Sequence, residues 1–406
     1  MKTNTTIARA VIFGACTLAV CAGTLTAQTY VVRDMGTLGG PLSGGQAING
    51  SGVAVGFAAQ ANADFRAIIP GTGSGQIPAL FGDRQSHAFA INDSAQVAVM
   101  SYDLGEIVAH GLLWQNGATT NLGDFAPRGL NATGKVVGSH TRLIEGFGWV
   151  EVPAVWSNGV MTELPVLGGD SGSASAVDSA GRVAGWAWNA RDATVHATLW
   201  QGGIGLDLGV LAGGVTGKSQ AYAMNDSGTI IGWSTSAAGT PHACRFTVNA
   251  AGTVTSRVDL GVLTSVGARA SYAFGINSAG DIVGTSGSRA VLWRAGAVTD
   301  LNSLIGSNSG WLLERAYGIN AAGQIVGSGK INGMPHGFVL TIAPICAGDF
   351  NGDGLVNPDD LADFIGCYFA EAGAAGTCRG SDFNHDGIVN PDDLADYIGA
   401  YFGGCL

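Results

Sequence analysis

A nine-residue phrase recurs along most of the chain and limits its fold more than any other feature. The clearest copy is Ile319-Asn320-Ala321-Ala322-Gly323-Gln324-Ile325-Val326-Gly327. Copies start at Ile48, Ile91, Leu130, Val177, Met224, Ile276 and Ile319. Each reads apolar, Asn (Asp178 once), two small or polar residues, Gly (Ala95 once), a variable residue, an aliphatic pair, and a closing Gly; the second copy is degenerate and ends at Val99. Asn or Asp at the first turn position bonds to its own backbone two residues on, and Gly at the last accepts positive φ without steric cost. With aliphatic, largely β-branched flanks, the phrase predicts a hairpin with a type I turn and a left-handed Gly.

The Asn or Asp of successive phrases is spaced by 43, 39, 47, 47, 52 and 43 residues. That period indicates one supersecondary unit per copy. Each unit carries two further apolar phrases. The first often opens on His or Arg and closes on Trp: His110 and Trp114, Val152 and Trp156, His196 and Trp200, His242 and Phe246, Arg289 and Trp293, His336 and Leu340. The copy at residues 66–70 is weak. The second phrase centres on Leu-Gly after an acidic or amide residue, as at Asp207, Asp259, Asn121 and, truncated, Asp300. Small residues, then Ser and Ala, lead from it into the next turn phrase. Four short strands in 40 to 50 residues fit a propeller blade.

The order of phrases predicts a closed ring. Asp34-Met35-Gly36-Thr37-Leu38 is a closing phrase that arrives before any turn phrase, whereas the seventh unit has its turn and its His336 phrase but no closing strand. The first strand should therefore complete the last blade, which removes exposed sheet edges. The expected architecture is an all-β, seven-bladed propeller over residues 28–343; an open β-solenoid is the rival. The co-ordered phrases of residues 34–341 resemble the HAF repeat, an extracellular repeat named for a His-Ala-Phe triplet found literally here at His87-Ala88-Phe89. That resemblance implies the architecture and carries little mechanism.

Composition agrees. Only 12% of the residues are charged and 66 of 406 are Gly, a pattern of many turns and few helices. The net charge of −11 is concentrated at the C-terminal end, where eleven acidic residues face a single Arg379 from Cys346 onward. The propeller region is nearly neutral and shows no basic stripe, which argues against a nucleic-acid surface. Residues 1–27 read as a secretory signal: Lys2 and Arg9, a short apolar core, then Leu25-Thr26-Ala27. No later apolar run reaches the ~18 residues of a membrane span, so the expected location is secreted or cell-surface. Leu18-Ala19-Val20-Cys21 approximates a lipobox, with Val20 larger than the small residue expected before a lipidated Cys21.

The strongest chemical motif lies in residues 344–406. Asp349, Asn351, Asp353, Asn357 and Asp360 occupy positions 1, 3, 5, 9 and 12 of one loop, and Asp382, Asn384, Asp386, Asn390 and Asp393 repeat them 33 residues later. Leu355 and Ile388 would add backbone carbonyls at position 7, and Gly354 and Gly387 permit the sharp turn. This is the calcium-loop logic of an EF-hand, so two calcium ions are expected. Each loop leads into a helix with an apolar face: Leu361, Phe364, Ile365 and Tyr368, then Leu394, Tyr397, Ile398 and Tyr401. Pro358 and Pro391 open the helices, where a missing N–H costs nothing. Cys346, Cys367, Cys378 and Cys405 cluster here and, in an oxidising compartment, read as two disulfides. Three connectivities are open, and Cys346–Cys405 with Cys367–Cys378 is favoured. Cys244 stands apart as an expected buried thiol in a strand.

The duplicated loops with their helices resemble a type I dockerin, and the framing Cys346 and Gly404-Cys405 are similar to its GC-type subgroup. The resemblance implies calcium-dependent docking to a cohesin-like or cell-surface partner through loop positions 10 and 11, here Pro358, Asp359, Pro391 and Asp392. Those positions often hold a Ser-Thr pair in that family, so the departure argues against ordinary cohesin binding, and the resemblance to the GC-type subgroup implies sorting or surface attachment.

Other motifs are expected to be structural. Ser171, in Gly169-Asp170-Ser171-Gly172, mimics a protease nucleophile but falls where a linker is expected. Residues 212–219 mimic a phosphate loop without its strand-to-helix setting. The His residues at 110, 196, 242 and 336 suggest strand-edge hydrogen bonding rather than a metal ring, and the recurring Trp residues suggest inter-blade core rather than sugar platforms. The sequence therefore favours a non-catalytic exported propeller that serves as a binding or scaffolding module, docked or displayed by its tail; a glycan or protein ligand held without turnover at loops on one face is a further reading. The alternative is a polysaccharide-binding or polysaccharide-degrading component. Hydrolysis would require two carboxylates facing each other; Glu106, Glu145, Glu151, Glu163 and Glu314 are those least bound to repeat positions.

Overall fold

Seven four-stranded antiparallel sheets form a closed β-propeller. The computed structural model describes residues 29–71, 75–103, 109–145, 148–189, 194–212, 214–343, 348–350, 356–371, 381, 383 and 389–403. Blades 1 to 7 begin with the innermost strands Gly39–Ile48, Gln85–Ile91, Ala126–Leu130, Gly168–Val177, Ser219–Met224, Ser271–Ile276 and Trp311–Ile319. In blades 1 to 6 the chain then runs outward through three more strands in sequence order. Blade 7 takes its outer strand from the other end of the ring: Tyr30–Asp34 pairs with Met334–Ile342, in register from Tyr30 opposite Ile342 to Asp34 opposite Phe338. The ring is thus closed by the strand the phrase order predicts, and the solenoid alternative falls.

The turn phrase does two jobs. Within each blade it makes the expected hairpin, seen in blade 7 as Gly323 N–H donating to the Asn320 carbonyl and Asn320 N–H to the Gln324 carbonyl. Gly323 has φ +76°, and Ala95 holds the same position at φ 57°. The carboxamide or carboxylate oxygen of the Asn or Asp accepts the amide of the residue four ahead, at 2.8 to 3.2 Å in all seven blades.

The second job is between blades. The Nδ2 of Asn49, Asn92 and Asn131 donates to the main-chain carbonyl of Asn92, Asn131 and Asp178 in turn. Asn225, Asn277 and Asn320 donate to Asn277, Asn320 and Asn49. The residues form a belt that closes from blade 7 back to blade 1. Only blade 4 departs from it, because Asp178 has no N–H to give. There Arg182 bonds Asp178 through Nε (2.6 Å) and reaches the Asp226 carbonyl of blade 5 with Nη2 (3.3 Å). Asn is thus required for its donor as well as for its turn preference.

Hydrophobic burial lies between blades. One cluster joins Ala184, Ala197, Leu199 and Leu208 of blade 4 to Ala221, Ile230, Cys244 and Phe246 of blade 5. Fully burying a side chain such as Leu199 or Phe246 contributes about 1.5 to 3 kcal/mol. Serines at the start of inner strands stitch neighbouring blades: Ser219 Oγ accepts the Ala197 amide, Ser271 the Ala243 amide and Ser43 the Gly337 amide. Trp200 and Trp293 are buried, and Trp114 and Trp156 are partly buried against inter-blade clusters. The recurring Trp is core, as the sequence suggests. Ser171 differs from expectation, because it lies within the inner strand of blade 4 and not in a linker.

Among the described residues of the C-terminal region two helices are present, α1 (Pro358–Glu371) and α2 (Pro391–Gly403). Phe364 and Tyr397 stack at 3.9 Å between ring centroids, with Phe350, Phe383, Tyr368 and Tyr401 packed around them. Ile365 and Ile398, expected on the buried face, are exposed; the aromatic stack fills the narrow space between the helices and leaves both at its edge.

Candidate functional site: an axial cavity lined by seven bulges

Each inner strand carries a β-bulge three residues before the Asn or Asp of the turn phrase, and those of blades 1, 4 and 7 have a second register shift upstream. In blade 5, Ala221 pairs with Gly232 and Ala223 with Ile231, so Tyr222 has no partner. The same omission leaves out Gln46, Phe89, Arg128, Ser175, Phe274 and Tyr317. A bulge bends the strand and re-aims the extra side chain. All seven of these side chains line one axial cavity of ≈ 540 Å³.

The sequence around the bulge explains why it forms. Both neighbours are small in six copies, as in Ala221-Tyr222-Ala223 and Ala316-Tyr317-Gly318, and Pro127 precedes Arg128 in the seventh. The closing Gly of the turn phrase is the counterpart on the second strand. A Cβ on Gly232 would meet the Gln220 carbonyl oxygen at 1.9 Å, and on Gly284 the Tyr272 carbonyl oxygen at 2.0 Å. In six blades the bulge pushes that carbonyl towards the second strand, where Gly leaves room; blade 2 carries Val99 at the same position.

Towards the Asn belt the cavity is lined by the apolar residues that open the turn phrases, including Ile48, Val177, Ile276 and Ile319; Ser173, Glu151 and Trp186 add to its wall. The bulged side chains are unevenly distributed. Blades 5 to 7 present an aromatic arc, with ring centroids 5.6 Å apart for Tyr222–Phe274 and 5.2 Å for Phe274–Tyr317. Tyr222 donates its hydroxyl proton to Gln220 Oε1, which also accepts from Trp233 Nε1. Burial pushes the Tyr222 phenol up to about 12, so it stays neutral. Across the ring, the Arg128 guanidinium lies 4.7 Å from the Phe89 ring centroid, a cation–π contact. The surrounding protein lowers the Arg128 pKa by desolvation, against the attraction of Glu151. Arg128 is nonetheless solvent-exposed, because its water-accessible surface faces the cavity.

His87, of the His-Ala-Phe triplet, stacks on Phe57 at 4.4 Å with Phe65, Phe89 and Tyr102 around it. Burial, helped by the charge of Arg128, depresses its pKa to about 4, so it is neutral at physiological pH. The other repeated His residues do not converge. His196, His242 and His336 each bond by Nδ1 to the Asp of their own outer strand, Asp207, Asp259 and Asp34, at 2.8 to 2.9 Å. His110 bonds Asp83 at 3.1 Å. These are blade-edge clips, and among the described residues no three His, Cys, Asp or Glu gather as a metal site.

The acidic candidates do not gather either. Glu106 lies outside the described residues. Glu145 is exposed, Glu163 bonds His140 and Arg142, and Glu314 pairs with Lys330. Glu151, which accepts a hydrogen bond from Ser139, is the one carboxylate among the described residues that lines the axial cavity.

The expected calcium loops are described in part. Asn351, Asp353, Leu355, Asp382, Asn384, Asp386 and Ile388 lie outside the described residues, as do Cys346, Cys378 and Cys405. Asp360 and Asp393 are fully buried at the first turns of α1 and α2. Their carboxylates accept the amides of Asn357 and Asn390, whose side chains accept from Asp359 and Asp392 in return, two capping boxes of one design. Asp349 is partly buried near the start of the first loop. Pro358, Asp359, Pro391 and Asp392 are exposed. Cys367 lies on α1, and Cys244 is the free, buried cysteine among the described residues.

The bulged positions were missed by motif reading, which looks for repeated residues. Here the signal is variation: a triplet with small flanks in six of seven copies, at fixed distance before the turn phrase, in which the middle position takes five different residue types.

No family model matches the chain, and no curated protein matches it. Among solved structures it is similar to a puromycin-hydrolyzing peptidase from Mycobacterium tuberculosis, with TM-score 0.44 and 12% identity over 71% of this chain and 49% of that one. It is also similar to TolB from Acinetobacter baumannii, with TM-score 0.37 and 11% identity over 77% of this chain and 62% of that one. A structure from Bacteroides thetaiotaomicron matches with TM-score 0.36 and 10% identity, over 77% of this chain and 95% of that one. The chain spans about half the length of the first of these and less than two thirds of the second.

Proposed function

We propose that this is an exported, non-catalytic binding protein whose propeller holds a ligand in its axial cavity and whose tail is a calcium-binding, dockerin-like module for docking or surface display. One observation carries the binding role. A repeated frame of bulge, turn phrase and Asn belt aims seven side chains of five types at a single cavity of ≈ 540 Å³, within the range of about 300 to 1,000 Å³ common for small-molecule sites. Variable residues on a repeated frame are the mark of recognition. Glycoside hydrolysis by this cavity is disfavoured, since it needs a facing pair of carboxylates and Glu151 has no such partner among the described lining.

The tail reading rests on the duplicated loops and on the buried carboxylates of Asp360 and Asp393. Burying a carboxylate is costly unless a cation or hydrogen bonds compensate it. Asp349, Asn357, Asp360, Asn390 and Asp393, with their loop partners from sequence, fit a hard, oxygen-ligated cation. Two calcium ions and two disulfides, Cys346–Cys405 and Cys367–Cys378, would stabilise a region whose core is small.

The test is location. The full chain and a version ending at Ala343 are expressed with and without a calcium chelator, and cells are separated from medium. Surface retention that requires both tail and calcium supports the proposal. Equal release of both versions sinks display and leaves docking to a soluble partner. Turnover of a glycan by the full chain would overturn the non-catalytic reading.

A further inference from the structure

Two features of the axial cavity are unexplained by the fold. The first is Arg128. A guanidinium carries five N–H donors, yet that of Arg128 makes no hydrogen bond among the described residues. The Phe89 ring holds it in place while its surface stays open to the cavity. A cation fixed on an aromatic face with unused donors is arranged to receive an anion from the lumen, and its planar fork matches a carboxylate.

The second is the aromatic arc across the ring. Tyr222, Phe274 and Tyr317 all come from bulged positions and run edge to edge along three successive blades. They are partly exposed to the lumen, and only the Tyr residues carry a polar group. Such a wall offers several π-faces to the apolar C–H face of one weakly polar ring, and aromatic faces of this kind contribute beyond the area they bury. Gln46 and Ser175, also bulged into the cavity, supply neutral hydrogen-bonding groups for hydroxyls.

We infer that the axial cavity binds a sugar ring bearing a carboxylate, a uronic acid residue of a glycan, with Arg128 taking the carboxylate and Tyr222, Phe274 and Tyr317 taking the apolar ring face. The inference rests on the proposed binding role of the cavity and names its ligand class. An aromatic carboxylic acid shares an apolar ring face and the charge, so the test includes it.

The experiment is calorimetric titration of the full chain, in calcium, with short oligomers of glucuronate, galacturonate and mannuronate. The matching neutral oligosaccharides, benzoate and indole-3-acetate are titrated alongside. At least one uronate should bind 10-fold or more tightly than its neutral counterpart. Arg128→Gln should weaken that uronate about 10- to 100-fold, the worth of a charge-assisted hydrogen-bonded pair, and leave neutral binding unchanged. Arg128→Lys should keep part of the preference, since charge remains without the fork. Tyr317→Ala should weaken acidic and neutral sugars alike. Thermal unfolding of each variant confirms that the propeller is intact.

Equal binding of acidic and neutral sugars, unaltered in Arg128→Gln, overturns the carboxylate assignment while the binding role survives. Binding of the aromatic acids but no uronate overturns the sugar. A ligand of another class that binds and is lost in Tyr317→Ala removes the inference alone.

Discussion

Blade 4 of the propeller contains a natural substitution experiment that can be transplanted. In blade 7, Asn320 is 5% exposed and its Nδ2 donates to the Asn49 carbonyl at 3.0 Å and to Gln324 Oε1 at 2.7 Å. Asn320→Asp replaces this donor with a carboxylate oxygen facing two other oxygens. The buried acceptors lose their partner, at about 1 to 3 kcal/mol, and a buried charge is left uncompensated, for a total cost of about 3 to 5 kcal/mol. In blade 4 the same carboxylate is tolerated because Arg182, four residues on, bonds Asp178 and crosses to the next blade. Position 324 is the equivalent of 182. Its side chain already lies over Gly52 of the next turn, as Arg182 lies over Gly228, so an Arg has the same path towards the Gly50 carbonyl. Gln324→Arg alone should cost at most about 1 kcal/mol, the hydrogen bond from Asn320 being lost. The double variant Asn320→Asp/Gln324→Arg should recover at least about 2 kcal/mol, a coupling typical of residues in direct contact. Urea unfolding followed by tryptophan fluorescence measures all four proteins of the cycle. Additive costs, or a loss below about 1 kcal/mol for Asn320→Asp, would refute the claim that the belt depends on a donor at this position.

Three further predictions follow from single residues. His87 has a folded pKa of about 4, below the ordinary value near 6.5. Its contribution is therefore complete above pH ~6.5 and lost as pH falls towards 4; His87→Gln should flatten stability in that window, by on the order of 2 kcal/mol relative to the native chain after allowance for its partial exposure. The Cys244 thiol is fully buried, and desolvation raises its pKa, with Asp259 adding to the effect. Iodoacetamide should leave Cys244 unmodified in the native protein and label it at the rate of urea unfolding; fast native labelling would contradict the inter-blade packing. Gly232→Ala places a Cβ 1.9 Å from the Gln220 carbonyl oxygen, so it should lower stability by about 2 kcal/mol or more through strain against the bulge, measured by thermal unfolding.

How much of this was legible beforehand differs by element. The turn phrase was readable because its chemistry is local: Asn320 and Gly323 encode their hairpin within five residues. The Trp and His phrases were correctly read as strand elements, since repetition at Trp200 and Trp293, or at His196 and His242, favours a role each blade needs. Ser171 was misplaced by a few residues, the usual error of a strand start rich in Gly. Ile365 and Ile398 fit the helical period, yet periodicity cannot tell which edge of an apolar face the facing helix covers. The bulged positions escaped notice because Arg128, Ser175 and Tyr222 share no chemistry, only a place.

By itself the sequence determined the number of blades, the hairpin in each and the strand that closes the ring. Those follow from turn preferences, strand period and the order of phrases along the chain, all properties of neighbouring residues. Only the tertiary structure decided that the residue three before each Asn or Asp faces the axis, that Asn49 and Asn320 meet across 271 positions, and that Arg128 rests on Phe89 from the preceding blade. These depend on how seven sheets converge on one axis, where a bulge in each brings together side chains that no local rule relates.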